Sequence, residues 1–211
     1  MLEAVNEIHQ HNIIHADIKP GNFLLVAGEL KIIDFGMAIE VNPGQDYVMK
    51  KFLGGTREFM SPEVYAAYVI EDGVINREAM ASSQGVRFST KSDIWALGII
   101  LYQAVYGCIP FSSVPGGKLA RYKALGCSDI PVEFESVDNL DPELLDTMKR
   151  CLEKDPEKRA TAEELLRHPY LRPQFSTIEG PTVCTNCRSH KKAMAKLSKK
   201  RIYTSANNLL C

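Results

Sequence analysis

Asp17, Lys19, Asn22 and Asp34 fall within eighteen residues, in the run His15-Ala16-Asp17-Ile18-Lys19-Pro20-Gly21-Asn22 and then in Asp34-Phe35-Gly36. These are the side chains that phosphoryl transfer asks of a protein. Moving the terminal phosphoryl group of a nucleotide needs little covalent help, so catalysis rests on placing the acceptor hydroxyl and neutralising charge on the phosphate oxygens. Asp17 is suited to accept the hydroxyl proton, and Lys19 to stand against the transferring phosphate as a point charge. Asn22 and Asp34 offer hard oxygens to one or two magnesium ions bridging the phosphates of ATP. A lone Asp-Phe-Gly or Lys-Pro-Gly arises easily by chance; the two together, in order and at this separation, do not.

The intervening residues supply a scaffold. Phe23–Val26 and 30–33 are short apolar or alternating runs around Ala27-Gly28-Glu29, which predicts a β-hairpin that sets Asn22 and Asp34 side by side.

Together these segments resemble the C-terminal lobe of a eukaryotic protein kinase. Matching stretches continue in kinase order: Gly55-Thr56-Arg57-Glu58-Phe59-Met60-Ser61-Pro62-Glu63, Ser92-Asp93-Ile94-Trp95-Ala96-Leu97-Gly98, Gly107-Cys108-Ile109-Pro110-Phe111 and Asp155-Pro156-Glu157-Lys158-Arg159. Within the kinases, Ile8-His9-Gln10-His11 leading into the Asp17 loop, Asn22-Phe23-Leu24 and His168-Pro169-Tyr170 are most similar to the monopolar spindle (TTK) dual-specificity checkpoint group. The resemblance implies a mainly α (α+β) fold, a C-lobe helical bundle with small β-hairpins at the catalytic face, over residues 1–172. It implies ATP and magnesium as cofactors, protein substrates, and kinetochore or spindle proteins as partners. An intracellular site follows from it, in the nucleus, at the kinetochore or in the cytoplasm.

The same resemblance assigns further roles. Thr56 bridges Asp17 and Lys19 and shapes the pocket for the substrate residue after the acceptor, favouring Ser/Thr substrates without excluding Tyr. Asp93 is expected to cap its helix and, by the resemblance, also to hold the backbone of the loop around Asp17; a plain N-cap is the simpler reading, and both can hold together. His15 and Phe35 join an internal stack that, in a lobe standing alone, would be exposed on the upper surface and favour aggregation. Arg159 is expected to form a buried ion pair with Glu63 that anchors the end of the activation segment.

Departures from the kinase pattern are as informative. Ala16 stands where phosphorylation-switched kinases carry the arginine that receives the loop phosphate. Residues 37–55 contain no Ser or Thr, and Tyr47 is their one hydroxyl. Ser/Thr phosphorylation of the early loop is therefore not expected to be the switch, leaving Tyr47 or Thr56. No Gly-rich strand-turn-strand, strand lysine or helix glutamate precedes Met1, and the first helical pattern begins without a capping residue. A truncated kinase, nearly inactive by itself, is the expectation; a kinase-like lobe serving as a non-catalytic interaction module is the alternative.

The remaining features bound the reading. Apolar residues make up 45% and charged residues 24% with a net charge of -1, which are ordinary globular values with no call for nucleic acid. No apolar run approaches the length of a membrane span. Among six cysteines, Cys108 and Cys151 are expected to be small buried hydrophobes. Cys184 and Cys187 have metal-like spacing, but His190 and Cys211 are the only nearby partners and zinc is disfavoured. The run 94–106, apolar on nearly every face, predicts a helix buried all round. Asp141-Pro142 and Thr161-Ala162-Glu163-Glu164 predict two further helix starts. Residues 64–91 are expected to be a mobile surface insertion, and 173–211 a basic, flexible tail.

Overall fold

The computed structural model describes residues 1–51, 55–66, 70–71, 74–75, 85–126 and 130–172. Cys127, the centre of the 64–91 insertion and the 173–211 tail, with its cysteine pair and basic residues, lie outside them. Met1–Arg172 forms one compact unit.

Helix α1 (Leu2–Gln10) buries Val5 and hands the chain to the short strand β1 (Ile13–Ile14). Strands β2 (Phe23–Val26) and β3 (Glu29–Ile32) form the anticipated hairpin. Its turn is tighter than expected: Ala27 and Gly28 alone make it, at φ of 51° and 86°. Two successive positive φ values twist the turn in the same sense as the flanking strands, so Glu29 already pairs with Val26. Strand β4 (Ile39–Glu40) returns antiparallel to β1.

The chain then runs as strand β5 (Tyr47–Lys50), followed after Gly55 by α2 (Pro62–Ala66). Within the 64–91 region, β6 (Ile70–Glu71) pairs with β7 (Val74–Ile75), and β8 (Val86–Ser89) pairs antiparallel with β5. The expectation of a mobile insertion over 64–91 is corrected at both ends, because Val64 and Tyr65 are buried on α2 and β8 is a ladder partner that buries Val86 and Phe88.

Helix α3 (Thr90–Tyr106) is the pillar. Trp95, Ile99 and Tyr102 enter one apolar cluster with Ile14, Ile39, Val64 and Phe88. Ile94, Ala96 and Leu97 enter a second with Val5, Ile18, Phe23 and Leu165. A helix between two clusters must be apolar on both sides, which explains its all-round hydrophobicity. That holds only for its first half, since Gln103 and Ala104 are exposed. Gly98 faces α5 (Pro142–Cys151): a methyl group there would lie 2.7 Å from Cys151 Cβ. Helix α4 (Gly117–Gly126) comes between α3 and α5 in the chain order.

Both predicted helix starts form. Asp141 accepts from Glu143 N–H at 2.8 Å ahead of Pro142, and Thr161 and Glu164 close a reciprocal capping box on α6 (Ala162–Leu166). The cap of α3 is not Asp93. Ser89 holds that position, with its N–H donating to Ser92 Oγ at 3.3 Å, which frees Asp93 for other partners. Cys151 is buried, but Cys108 is exposed because it follows Gly107, where the chain turns away from the helix at φ 70°. No helix among the described residues is long and apolar enough to cross a membrane.

Candidate active site

The Asp17 loop is positioned from behind. Asp93, buried in the first turn of α3, accepts from His15 N–H at 2.8 Å and from Ala16 N–H at 2.9 Å, while His9 Nε2 lies 2.9 Å from the same carboxylate. These bonds hold Ala16 at φ 62°, a left-handed conformation that costs an L-residue about 1–2 kcal/mol.

His15 fixes the loop from within. Its Nε2 donates to Ile33 O at 3.1 Å and its Nδ1 accepts from Asp17 N–H at 3.3 Å. Its ring meets Phe35 edge-on at 5.2 Å. The stack exists, but the expectation that both members are exposed is corrected: His15 is 0% exposed and Phe35 46%. Exposed apolar side chains are found instead on β2, at Leu24, Leu25 and Val26, with Leu25 71% exposed.

Four of the predicted residues converge. Asp17 Oδ1 accepts from the N–H and the hydroxyl of Thr56, each at 2.8 Å. Asp17 Oδ2 accepts from Lys19 Nζ at 2.5 Å and from Asn22 Nδ2 at 3.3 Å. Lys19 also donates to Thr56 Oγ1 at 3.2 Å, and Asn22 Nδ2 to the Asp17 carbonyl at 2.8 Å. Burial pushes the Asp17 carboxyl up, but the Lys19 ammonium and the Thr56 bonds outweigh it, leaving the pKa below its ordinary value. Asp17 is thus an ionised acceptor at neutral pH.

Gly55 makes this closure sterically feasible. It has φ +88°, and a Cβ there would lie 2.8 Å from Ala16 O, so a side chain would push Thr56 off Asp17.

Asp34 stands at the edge of this network. Ile33 N–H donates to Asn22 O at 2.9 Å, closing the base of the hairpin so that Asn22 and Asp34 flank it. Asp34 has φ 62°, and among the described residues its carboxylate accepts only from Gly36 N–H at 3.3 Å. Asp34 is exposed, and the Asn22 amide nitrogen is the atom engaged by Asp17, which leaves the amide oxygen for a cation. Hard, free oxygens suit magnesium. The described residues contain no cluster of three or more His, Cys, Asp or Glu fit to hold a metal, so the other ligands to such an ion would be phosphate and water, as is usual for magnesium.

Farther away, Arg159 Nη1 and Nη2 grip the two Glu63 oxygens at 2.8 and 2.9 Å, and Ser92 Oγ donates to Glu63 at 3.3 Å. Burial raises the Glu63 pKa, yet the guanidinium outweighs it and the carboxyl lies below its ordinary value. Two contributors were not singled out from sequence. His9 supports Asp93, and its only signal was a polar residue at a helical-period apolar position. Arg87 lies over the Tyr47 ring at 4.3 Å, a contact between segments 40 residues apart that leaves no local signal.

The protein kinase domain family model matches residues 1–171. The dual specificity protein kinase Ttk of Danio rerio is 37% identical over 213 residues, covering 99% of this chain and 20% of the relative. The dual specificity protein kinase TTK of Mus musculus is 39% identical over 174 residues, covering 82% and 19%. The serine/threonine-protein kinase mph1 of Schizosaccharomyces pombe is 36% identical over 189 residues, covering 82% and 26%. The chain thus spans about a fifth to about a quarter of the length of these curated relatives. By its family match and by the kinases it is most like, this chain belongs to the protein kinase family and is TTK-like within it.

Proposed function

We propose that residues 1–172 are the C-lobe of an ATP-dependent Ser/Thr or dual-specificity protein kinase that transfers the γ-phosphoryl group to protein hydroxyls, with 173–211 a basic tail. The observation that carries this reading is the hydrogen-bonded cluster of Asp17, Lys19, Asn22 and Thr56. In it Asp17, ionised and aimed by two Thr56 bonds, takes the proton of the acceptor hydroxyl. Lys19, held between Asp17 and Thr56, places its ammonium against the transferring phosphate. The oxygens of Asn22 and Asp34 would hold magnesium, which when bound would supply charge neutralisation on the phosphates of ATP. Thr56 also sets the floor on which the residue after the acceptor rests, and this supports Ser/Thr preference. Asp93, His15, Phe35, Glu63 and Arg159 act through the backbone they hold.

The likeness to checkpoint kinases supports a role in mitotic spindle-checkpoint signalling, with kinetochore or spindle proteins as substrates and a nuclear, kinetochore or cytoplasmic site. The phosphates of the nucleotide also require a covering loop and a lysine–glutamate pair, so turnover is expected from residues 1–211 in a polypeptide extended by a kinase N-lobe and very little from residues 1–211 by themselves. Transfer of label from γ-labelled ATP to Ser and Tyr peptides by both polypeptides tests this. Activity in the extended form that vanishes in Asp17→Asn supports the reading, and activity indifferent to Asp17→Asn refutes it.

A further inference from the structure

The end of α3 away from the Asp17 loop opens on a cavity that phosphoryl transfer does not use. From Asp93 to Tyr106 the helix rises about 20 Å, and none of the residues lining the cavity belongs to the Asp17 cluster. Its volume is about 150 Å³, well short of the roughly 300–1,000 Å³ of a cofactor or drug-sized site. It has room for one side chain and not for a nucleotide.

Three aromatic rings wall it. Tyr102 and Tyr106, one turn apart on α3, have ring centroids 4.3 Å apart, and Phe111 joins them from the turn beyond Gly107. Phe111 has φ 61°, a left-handed conformation that an aromatic residue keeps only where its surroundings fix it. The Tyr102 hydroxyl donates to the Glu133 carbonyl at 3.0 Å and the Tyr106 hydroxyl to the Glu135 carbonyl at 3.2 Å, so both phenols spend their donors on backbone and present their rings. Residues 132–135 alternate in burial: Val132 and Phe134 pack on the core, which leaves the exposed Glu133 and Glu135 together at the cavity.

The lining holds these two carboxylates and no Lys, Arg or His. Burial pushes the Tyr102 phenol up to about 12, and Cys108, Tyr106, Glu135 and Glu133 push it the same way. Lys154 lies outside the lining, with its Nζ 4.7 Å from the Phe111 ring centroid and donating to Ala124 O at 2.7 Å. One of these rings thus already takes an ammonium. Lys154 repels a second, but two carboxylates outweigh it.

We propose that this cavity is a docking site for a lysine side chain carried by a basic segment of a partner protein. The aromatic wall takes the apolar stem of the lysine against its rings and attracts the ammonium through their quadrupoles, while the carboxylates at the rim hold the charge. Because both carboxylates are exposed, a second basic residue of the same segment finds a partner once the first is seated, which favours a peptide over a lone small cation. The assignment does not rest on the kinase reading, and no turnover enters its test.

The 211-residue chain is titrated into a fluorescein-labelled twelve-residue peptide of alternating glycine and lysine, and anisotropy is read at physiological ionic strength. Saturable binding is expected, and none to the glycine–glutamate counterpart. Glu133→Gln/Glu135→Gln should weaken binding about tenfold, whereas Glu3→Gln/Glu7→Gln, which removes two exposed carboxylates from α1, should leave it unchanged. Tyr106→Phe keeps the ring and should bind within about twofold of wild type, while Tyr106→Leu loses the ring and should bind at least about fivefold more weakly. Cys108, exposed at the cavity, gives a second readout: saturating peptide should slow its alkylation by iodoacetamide. No saturable binding, binding indifferent to Glu133→Gln/Glu135→Gln, equal loss in Glu3→Gln/Glu7→Gln, full binding by Tyr106→Leu or unaltered alkylation of Cys108 overturns the proposal. Protection of Cys108 by tetramethylammonium but not by the peptide, or a Cys108 already shielded in the peptide-free chain, gives the cavity another occupant and overturns it as well.

Discussion

Removing the Arg159 guanidinium should destabilise the domain more than any other single charge deletion. Arg159 is 1% exposed, and each of its N–H groups has an acceptor within reach: Nε bonds Glu153 O at 2.7 Å, and the Nη atoms bond both Glu63 oxygens, Lys91 O at 2.9 Å and Lys154 O at 3.2 Å. Arg159→Ala leaves the Glu63 carboxylate with Ser92 as its remaining side-chain donor. Stranding one partner of a buried pair costs about 3–5 kcal/mol. For a domain of this size each kcal/mol moves the melting temperature by about 2–4 °C, so the loss should be about 6–20 °C. Differential scanning calorimetry reads it, with urea unfolding as an independent measure. The double variant Arg159→Met/Glu63→Leu should recover most of the loss, because both desolvation penalties go with the charges. A loss under about 1 kcal/mol for Arg159→Ala, of the size seen for surface pairs, or no recovery in the double variant, would refute this reasoning.

Further outcomes follow from single positions. Gly55→Ala should lower the melting temperature and cut phosphoryl transfer in the upstream-extended polypeptide, because its methyl group meets Ala16 O and lifts Thr56 from Asp17; unchanged turnover would contradict the contact. Glu63 has a pKa below its ordinary 4.5, so its stabilising contribution is complete above that value and is lost as pH falls through the lowered pKa. Below pH 4.5 the wild type should therefore lose stability more steeply than Glu63→Gln, as read by melting temperature against pH. Burial pushes the Cys151 thiol up to about 12, while Cys108 is exposed. Iodoacetamide should label Cys108 in the folded protein and Cys151 only on unfolding, as peptide mass spectrometry will show.

What was legible in the sequence was whatever chemistry or local geometry confines to a short window. Asp17, Lys19 and Asn22 are spaced by one loop, and Asp34 by one hairpin, so their types and separations carried the site. Asp141-Pro142 and Thr161 with Glu164 announced their helices because a cap is a bond between residues two or three apart. The misreadings are long-range. Val86-Arg87-Phe88-Ser89 alternates as a strand should, but nothing in it names Tyr47–Lys50 as partner. Of the two roles expected for Asp93, holding the Asp17 loop is what it does, while the cap falls to Ser89, four residues earlier, whose N–H donates to Ser92 Oγ. His15 and Cys108 exchanged their expected exposures because burial depends on what packs from elsewhere. Phe35, Ile33 and Asp93 enclose the histidine, while the turn at Gly107 carries the cysteine outward.

The central claim is that the oxygens of Asn22 and Asp34 hold the cation that the Asp17 cluster serves. Manganese, a paramagnetic stand-in for magnesium, tests it in the upstream-extended polypeptide with a non-hydrolysable ATP analogue. Amide resonances of Gly21, Asn22, Asp34 and Gly36 should broaden first, and Asp34→Asn should weaken nucleotide-dependent manganese binding by at least about tenfold. Broadening centred elsewhere, or manganese affinity unchanged in Asp34→Asn, would contradict the account.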